Sequence, residues 1–238
     1  MPKTYGYIRV STRAQREERQ RIALRQAGVA NQNIFCLLYT SLRMDYLAFL
    51  QKEIHAAAFA TLAKDGRPEV RIIDVMLYDG KSLYFLTAKG KEFYRQLIQQ
   101  RFVAVTGEKG RRAVSLRGHV RVADPALLDV MFEQNPYMND IYPGDTRRAL
   151  EAFEIYRAQG EYFDLTQSPI FRDTVTIGGP AEQGRSYRMT EACTACGRCM
   201  PVCPQRCIQP GRPYRIVPEH CLHCGACAAA CPAGAVAF

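Results

Sequence analysis

Hydrophobic and polar positions change their period several times along the chain, and each change predicts a different element. Residues 4–10 alternate as a strand does, and residues 13–27 follow a charged helical pattern. A second amphipathic helix is predicted over residues 44–54, where apolar positions recur on one side. Between these two patterns, residues 36–43 (CLLYTSLR) fit neither neighbour in composition. The pattern therefore predicts a boundary near residue 43.

The middle of the chain is rich in short alternating runs separated by turn residues, which predicts strands. Two of these predicted strands are joined at Gln159–Gly160, and helices are predicted over residues 91–100 and 124–134. Antiparallel strands with a few helices fit an α+β fold, a small β-barrel with helical additions. The predicted strands cover residues 56–63, 68–77, 82–88, 102–108, 112–122, 152–157, 161–166 and 173–177.

A cysteine pattern occurs twice near the end of the chain, after a polar, Gly-containing linker at residues 178–186. Cys-x2-Cys-x2-Cys-x3-Cys-Pro spans residues 193–204 and again residues 221–232. Three thiolates spaced by two residues can hold three corners of a cubane cluster, and the cysteine before proline serves the other cluster. Structural zinc, the alternative, needs two Cys-x2-Cys pairs and explains this repeat poorly. The predicted ligand sets are Cys193, Cys196, Cys199 and Cys231 for one cluster, and Cys221, Cys224, Cys227 and Cys203 for the other.

This repeat resembles a bacterial-type ferredoxin with two [4Fe-4S] clusters, and the resemblance covers residues 187–238. Gly197 and Gly225 are expected to let the backbone approach the clusters. Cys207, the odd cysteine, is expected to be a small buried residue beside a ligand of the second cluster. The domains predicted are a leader at 1–43, a barrel at 44–177, the linker, and this ferredoxin-type segment.

Charge is unevenly distributed. The chain carries a formal net charge of +9, and residues 1–43 contribute eight Lys or Arg against two acidic residues. The remaining 195 residues hold 24 basic and 21 acidic residues, so this larger part gives no electrostatic reason to expect nucleic acid. No apolar run approaches a membrane span, and the N-terminus lacks a signal-peptide layout. Nine of the ten cysteines lie between 193 and 231, which in a reducing compartment indicates metal ligation, and a cytoplasmic location is expected.

The segment ATLAKDGRPEVRIIDVMLYDGKSLYFLTAKGKEFYRQL resembles the pyridoxamine 5′-phosphate oxidase-like split barrels in its order of strand, turn, Arg-bearing strand, YF-x-T strand, basic loop and helix. The resemblance covers residues 45–177 and implies FMN bound at a homodimer interface; some relatives bind deazaflavin or haem instead. It implies that Arg71 and Lys91 contact the FMN phosphate with Thr87 and Lys89 nearby. It also implies that the backbone of Ile72, Ile73, Asp74 and Val75 runs along the flavin ring.

One feature departs from the true pyridoxamine phosphate oxidases. Their C-terminal substrate segment contains Trp, and this chain has no Trp. Oxidation of pyridoxine phosphate is therefore not expected. His55 and His119 are interpreted as structural, and residues 135–145 as a lid or a dimer contact.

The opening residues YGYIRVSTRAQREERQRIALRQAGVANQNIF resemble the first strand and helix of resolvase/invertase serine recombinases, in which Ser11 and Arg9 would act on DNA phosphate. The rest of that family's catalytic and DNA-binding machinery is missing from the sequence. We interpret residues 1–43 as a fragment joined upstream of a natural start at Met44.

These patterns together predict a flavin- and iron–sulfur-dependent oxidoreductase whose partner is a redox protein or a small-molecule substrate. Flavins handle electrons in pairs and clusters handle them singly, so the two groups complement each other. An electron-carrier module on a barrel without its own substrate is the alternative. A DNA recombinase acting through Ser11 is the weakest reading, because the chain lacks the other residues that such chemistry needs.

Overall fold

The computed structural model describes residues 6–10, 23–27, 29, 34–38, 44–180 and 186–238. The chain divides into two compact units, Met1–Asp45 and Tyr46–Phe238. Within the described ranges, no helix combines the length and the apolar character needed to cross a membrane.

In the first unit, two short strands pair in parallel. Strand β1 (Gly6–Val10) lies beside strand β2 (Ile34–Leu38), and residues 23–26 are helical. Parallel strands need a crossover between them, which a helix commonly supplies. The strand predicted at residues 4–10 is confirmed in its described part, whereas residues 13–22 of the predicted helix lie outside the described residues.

Seven strands of the second unit form one antiparallel sheet that closes on itself. They are β3 (Ala56–Leu62), β4 (Pro68–Tyr78), β5 (Leu83–Ala88), β6 (Phe102–Lys109), β7 (Arg112–Val122), β8 (Leu150–Asp164) and β9 (Phe171–Ile177). Their order is β5-β4-β3-β6-β7-β8-β9, and β5 also pairs with β8. Six strands therefore form a closed barrel, with β9 added beside β8. The predicted α+β barrel is confirmed.

Aromatic side chains fill the inside of the barrel. The ring of Phe85 lies 4.8 Å from that of Phe59, 6.0 Å from that of Phe93 and 5.7 Å from that of Phe153. All four side chains are at most 5 % exposed. Phe93 comes from a helix rather than a strand, so the helix is packed against one end of this aromatic core.

Short helices join and cover the strands. The first, α1 (Tyr46–Ala48), continues as a π-helix over Phe49–Ile54; the others are α2 (Glu92–Gln100), α3 (Leu127–Gln134) and α4 (Met138–Ile141). The helices predicted over residues 44–54 and 91–100 are confirmed. The helix predicted from residue 124 begins three residues later, because the Asp124 side chain accepts a hydrogen bond from the Ala126 N–H in a turn before it.

The sequence-based prediction of two strands joined at Gln159–Gly160 is wrong, because β8 runs without interruption through both residues. Gly160 pairs with Leu116 of β7, and a Cβ atom placed on it would lie only 1.7 Å from the carbonyl oxygen of Ser115. Glycine is thus required here by the close approach of two strands rather than by a turn.

The cysteine-containing segment has little regular structure. Strand β10 (Arg188–Met189) pairs with β13 (Val236–Ala237), and β11 (Ile208–Gln209) pairs with β12 (Arg215–Ile216). A single helical turn, α5 (Ala226–Ala229), begins two residues after Cys224 and contains Cys227. The loops that carry the cysteines are thus tied at two places by two-residue ladders.

Candidate functional site

The eight predicted cluster ligands surround two separate cavities. The first cavity is lined by Cys193, Cys196, Cys199 and Cys231 among other residues. The second cavity is lined by Cys203, Cys221, Cys224 and Cys227 among others. Each cavity thus receives three cysteines from one copy of the repeat and the fourth from the other copy. The four cysteines of each predicted ligand set therefore line the same cavity, and their role as ligands stays a prediction.

The two copies of the repeat share unusual backbone geometry. Ala195 and His223 occupy equivalent positions and both have a φ of 56°, while Gly197 and Gly225 have φ values of 79° and 75°. Alternating left-handed residues turn successive N–H groups toward one side, which suits an anionic group. The donors and the two cavities therefore fit iron–sulfur clusters, whose thiolate ligands carry the negative charge.

Burial disfavours the thiolate form at the deepest cysteines. It raises the pKa of Cys199 and of Cys227, both 8 % exposed. A thiol must lose its proton to bind iron, so ligand binding to these positions has to overcome that cost. At the exposed Cys196, the hydrogen bond from the backbone N–H of Arg198 lowers the pKa instead.

Cys207 also lines the second cavity, so that this cavity has five cysteines. Its Sγ lies 3.4 Å from the Sγ of Cys203, and the side chain is 5 % exposed. Burial is the main cause that raises its pKa to about 12. The predicted location, a buried place beside a ligand of the second cluster, is confirmed.

The wall of the second cavity touches the barrel. The Ile170 N–H, just before β9, donates to Gln205 Oε1 at 3.0 Å. The Ile170 carbonyl lies 2.7 Å from His220 Nδ1, and because a carbonyl only accepts, that nitrogen carries the proton. Both backbone groups of Ile170 are therefore bonded to residues near predicted ligands, Gln205 two positions after Cys203 and His220 directly before Cys221. His220 therefore connects the cysteine-containing segment to the barrel, a contact that the sequence did not predict.

Arg172 of β9 is the second connection. Its Nη1 donates to the carbonyl oxygen of Cys221 at 2.6 Å, and its Nη2 pairs with Glu161 at 2.5 Å. The side chain is only 12 % exposed, and the guanidinium lies over the Phe163 ring. Its Nε is buried and has no hydrogen-bond partner within the described residues. The guanidinium of Arg172 is thus held against the backbone of the predicted ligand Cys221, and its Nε–H has no acceptor within the described residues.

Arg71, the first predicted phosphate contact, lies beside the start of α2. Its guanidinium is 4.4 Å from the Phe93 ring centroid and donates to Thr61 Oγ1 at 2.6 Å and to Glu69 at 3.0 Å. It also donates to Gln96 at 3.3 Å. Burial lowers the pKa of Arg71, opposed by the Glu69 charge. Arg71 therefore already has partners within the protein. One of them is the Glu69 carboxylate, and a phosphate would have to displace it or bind beside it.

The other basic residues predicted for the phosphate lie at the same end of the barrel. Lys91 immediately precedes the first residue of α2, and the exposed Lys89 is 3.5 Å from Glu151. Thr87, on β5, is 3 % exposed, and its Oγ1 has no hydrogen-bond partner within the described part. Burying a hydroxyl without a hydrogen-bond partner lowers the stability of the folded protein. This hydroxyl and the nearby cations fit an anionic cofactor group.

The predicted flavin-lining segment on β4 is half open to solvent. Ile72 is 66 % exposed, while Val75 is buried. Asp74 lies on the outer face with Ile72, and its Oδ2 accepts a hydrogen bond from the Tyr137 hydroxyl at 2.6 Å. His55 Nε2 is 3.0 Å from the same hydroxyl. The interpretation of His55 as an isolated structural residue missed this contact.

A basic groove lies elsewhere on the barrel, and the sequence did not predict it. It encloses about 790 Å³, much of it open, and includes Arg117, His119 and Arg157 among its lining residues. None of the residues predicted for the flavin lines it. Its cations belong to neighbouring strands β7 and β8, so only the pairing of those strands brings them together.

Comparison with known families finds two matches. Residues 44–166 match the family described as "Pyridoxamine 5'-phosphate oxidase". Residues 192–235 match the family described as "4Fe-4S dicluster domain". The two matches fall on the barrel and on the segment with both cysteine cavities, so the iron–sulfur reading of the repeat is confirmed at the level of the family.

Solved structures resemble the barrel only distantly. A nimc/nima family protein from Clostridium acetobutylicum is 22 % identical, with 53 % of this chain and 88 % of that chain covered and a TM-score of 0.46. An F420 reductase is 21 % identical, with 47 % and 91 % covered and a TM-score of 0.37. PhzG from Burkholderia lata, solved with tetrahydrophenazine-1-carboxylic acid, is 14 % identical, with 57 % and 89 % covered and a TM-score of 0.42. No curated protein matches the chain.

Proposed function

This chain belongs to the pyridoxamine 5′-phosphate oxidase family and carries a 4Fe-4S dicluster domain, and from that premise we propose that it is a flavin- and iron–sulfur-dependent oxidoreductase. FMN in the barrel would exchange electrons with two [4Fe-4S] clusters, one in each cavity. Flavins supply two-electron chemistry and clusters supply one-electron transfer, so the pair connects a two-electron substrate to a one-electron partner.

One observation carries this proposal: the second cavity is built against the barrel. Ile170 bonds to Gln205 and His220, and Arg172 bonds to the backbone of the ligand Cys221. These contacts hold the second cavity close to the barrel, as electron exchange between the two would require. They support an order in which electrons pass between the barrel and the second cavity before they reach the first.

For the flavin, Arg71 and Lys91 would face the phosphate, Thr87 and Lys89 would lie nearby, and the backbone of Ile72–Val75 would follow the ring. The buried Thr87 hydroxyl, which has no hydrogen-bond partner among the residues that the structure describes, supports this assignment. Deazaflavin or haem is the alternative occupant, and cofactor analysis separates the three.

A homodimer is part of the proposal. On the outer face of the sheet, Leu62 of β3 is 51 % exposed, and Val70 and Ile72 of β4 are each 66 % exposed. The strand register places Leu62 opposite Pro68 and diagonally from Val70, on the face that Val70 shares with Ile72, which makes an apolar patch on a charged protein. A second copy of the chain would cover this patch next to the predicted flavin segment. We propose that this protein works in the cytoplasm, where thiolate ligands stay reduced.

The test is cofactor analysis of protein purified without oxygen. We expect about eight iron, about eight sulfide and one FMN per chain. Lys91→Ala should weaken FMN binding about tenfold, while Lys81→Ala, an equal charge change on a distant turn, should not. Clusters without flavin would favour the electron-carrier alternative. Colourless protein, or protein that contains zinc instead of iron, would refute the proposal.

A further inference from the structure

Three polar side chains from distant parts of the chain form a hydrogen-bonded row on the outer face of the barrel. The Tyr137 hydroxyl donates to Asp74 Oδ2 at 2.6 Å, and His55 Nε2 lies 3.0 Å from the Tyr137 oxygen. His55 Nε2 is also 3.7 Å from Asp74 Oδ2. The side chains of His55 and Asp74 are 32 % and 35 % exposed, so the row reaches solvent.

The proton positions follow from counting donors. Tyr137 has one hydroxyl proton, and the shorter contact assigns it to Asp74. His55 Nε2 must then donate to the Tyr137 oxygen. Its Nδ1 faces the Gln51 carbonyl at 3.4 Å, which can only accept. Both ring nitrogens of His55 therefore face acceptors, and the row runs from a proton donor, through a hydroxyl, to a carboxylate.

The backbone holds this row under strain. His55 has φ 61° and ψ −65°, a combination that non-glycine residues rarely adopt. Its N–H bonds to the Leu50 carbonyl at 2.9 Å, and its carbonyl accepts from the Val75 N–H at 2.8 Å. Strained residues that persist because their surroundings fix them occur often at functional sites. The bond from Val75 fastens His55 to β4, the strand that carries Asp74.

Tyr137 is fixed from the other side. The Asn135 side chain donates to the Met76 carbonyl at 3.0 Å and to the Met131 carbonyl at 2.8 Å, which ties the end of α3 to β4. Burial, followed by the hydrogen bond to Asp74, raises the pKa of Tyr137 well above its usual value. The hydroxyl thus remains protonated and can pass a proton on while it receives another.

We propose that His55, Tyr137 and Asp74 form a proton relay that serves a substrate reduced on the outer face of β4. This proposal rests on the proposed function, which provides the electrons from the redox group bound by the barrel. The Asp74 carboxylate takes the hydroxyl proton of Tyr137 while His55 Nε2 restores the Tyr137 proton, and the Asp74 carboxyl so formed then gives its proton to the substrate. Water then returns a proton to His55, so each cycle moves one proton from solvent to substrate.

The substrate class that fits is a small, flat organic molecule that takes up two electrons and two protons, such as a quinone. In the proposed arrangement Asp74 belongs to the β4 segment that follows the flavin ring, so such a molecule would lie against that ring rather than against the apolar patch of the dimer contact. Both protons use the row in turn, and each forms one O–H bond on a quinone while the two electrons enter its ring.

Two acceptors separate proton delivery from electron transfer. Duroquinone needs two electrons and two protons, whereas ferricyanide takes one electron and no proton. Anaerobically reduced holoprotein is mixed with each acceptor in a stopped-flow instrument. Tyr137→Phe and His55→Gln should slow duroquinone reduction about 100-fold and leave ferricyanide reduction within about twofold of the unmodified protein. Tyr142→Phe, on the same segment, is the control and should change neither rate.

Asp74→Asn tests whether the row is only structural, because an amide oxygen still accepts from Tyr137 but cannot carry the proton. It should slow duroquinone as strongly as Tyr137→Phe. A measurement that needs no bound cofactor is NMR of protein with ¹⁵N-labelled histidine, of which the chain has four. The signal of the His55 Nε2–H proton should disappear in Tyr137→Phe. Equal rates with duroquinone in all variants would overturn the relay. If the unmodified protein reduced neither acceptor, the proposed function itself would fall.

Discussion

The charge of Arg172 should raise the reduction potential of the cluster in the second cavity. Its guanidinium is bonded to the Cys221 carbonyl at 2.6 Å and is mostly withdrawn from solvent. A positive charge favours the reduced cluster, which carries one more negative charge than the oxidised one. Arg172→Gln removes the charge while it keeps an amide that can still donate to the carbonyl.

The expected size follows from Coulomb's law. The carbonyl and the Sγ of Cys221 belong to one residue, which places the guanidinium about 7 Å from the sulfur given ordinary bond lengths. At an effective dielectric constant of about 20, two unit charges at this distance interact by about 2.4 kcal/mol. Because about 1.4 kcal/mol is a tenfold change, and a tenfold change is about 59 mV for one electron, the upper limit is about 100 mV. Glu161, which is 55 % exposed, offsets part of the charge, so we expect a fall of about 50–100 mV.

The assay is an anaerobic redox titration followed by electron paramagnetic resonance. Cys196→Ser, at the exposed end of the first cavity, changes the signal of that cluster and thereby identifies it. Arg172→Lys, which keeps the positive charge, should change the reduction potential of the second cavity's cluster only slightly. Arg188→Gln, at an exposed position of β10, should leave that potential unchanged. The reasoning is refuted if Arg172→Gln leaves both potentials unchanged, or if the shift falls on the cluster of the first cavity.

Three further outcomes are expected. Cys207→Ala should retain the full iron and sulfide content, because four other cysteines line the second cavity; loss of one cluster would show that Cys207 is a ligand. Gly160→Ala should lower the free energy of unfolding by about 3 kcal/mol in urea titrations, whereas Gly90→Ala, with open space around it, should change it by less than about 0.5 kcal/mol. Burial alone would raise the pKa of Asp79, but hydrogen bonds from two backbone N–H groups and a tyrosine hydroxyl lower it overall. The stabilisation of the fold by ionised Asp79 is therefore fully present above about pH 3.9 and is lost as the pH falls through the lower pKa of the folded state. Asp79→Asn should thus lower the free energy of unfolding at pH 7 and leave it almost unchanged in strong acid.

The sequence was sufficient wherever local spacing determines the chemistry. Cysteines separated by two residues can turn toward one centre, and the repeat correctly predicted which four cysteines line each cavity. Strands such as β3 and β7 were readable because one face of each is buried and period-two alternation follows from that, whereas β5 is buried on both faces. The error at Gly160 has a definite cause: glycine is used both in turns and where two backbones approach closely, and one sequence does not distinguish these uses.

The parts that the sequence could not predict are contacts between distant positions. Arg172 and Cys221 are 49 residues apart, and Tyr137 lies 63 residues from Asp74 and 82 from His55. No local pattern marks these residues as partners, and each alone is an ordinary polar residue on a strand, a turn or a loop. Only the closure of the barrel and the docking of the cysteine segment onto β9 bring them together.

The two halves of the second unit differ in what stabilises them. The barrel core consists of large side chains such as Phe59, Phe85 and Phe153, which bury apolar area without any cofactor. The core of the cysteine segment consists of Cys199, Cys207, Cys221 and Cys227 with two isoleucines, and its thiols resist ionisation where they are most buried. Cluster binding therefore has to supply folding energy to this segment. Because the segment is fastened to the barrel at Ile170 and Arg172, we expect cluster binding in the second cavity to stabilise the contact with the barrel wall as well.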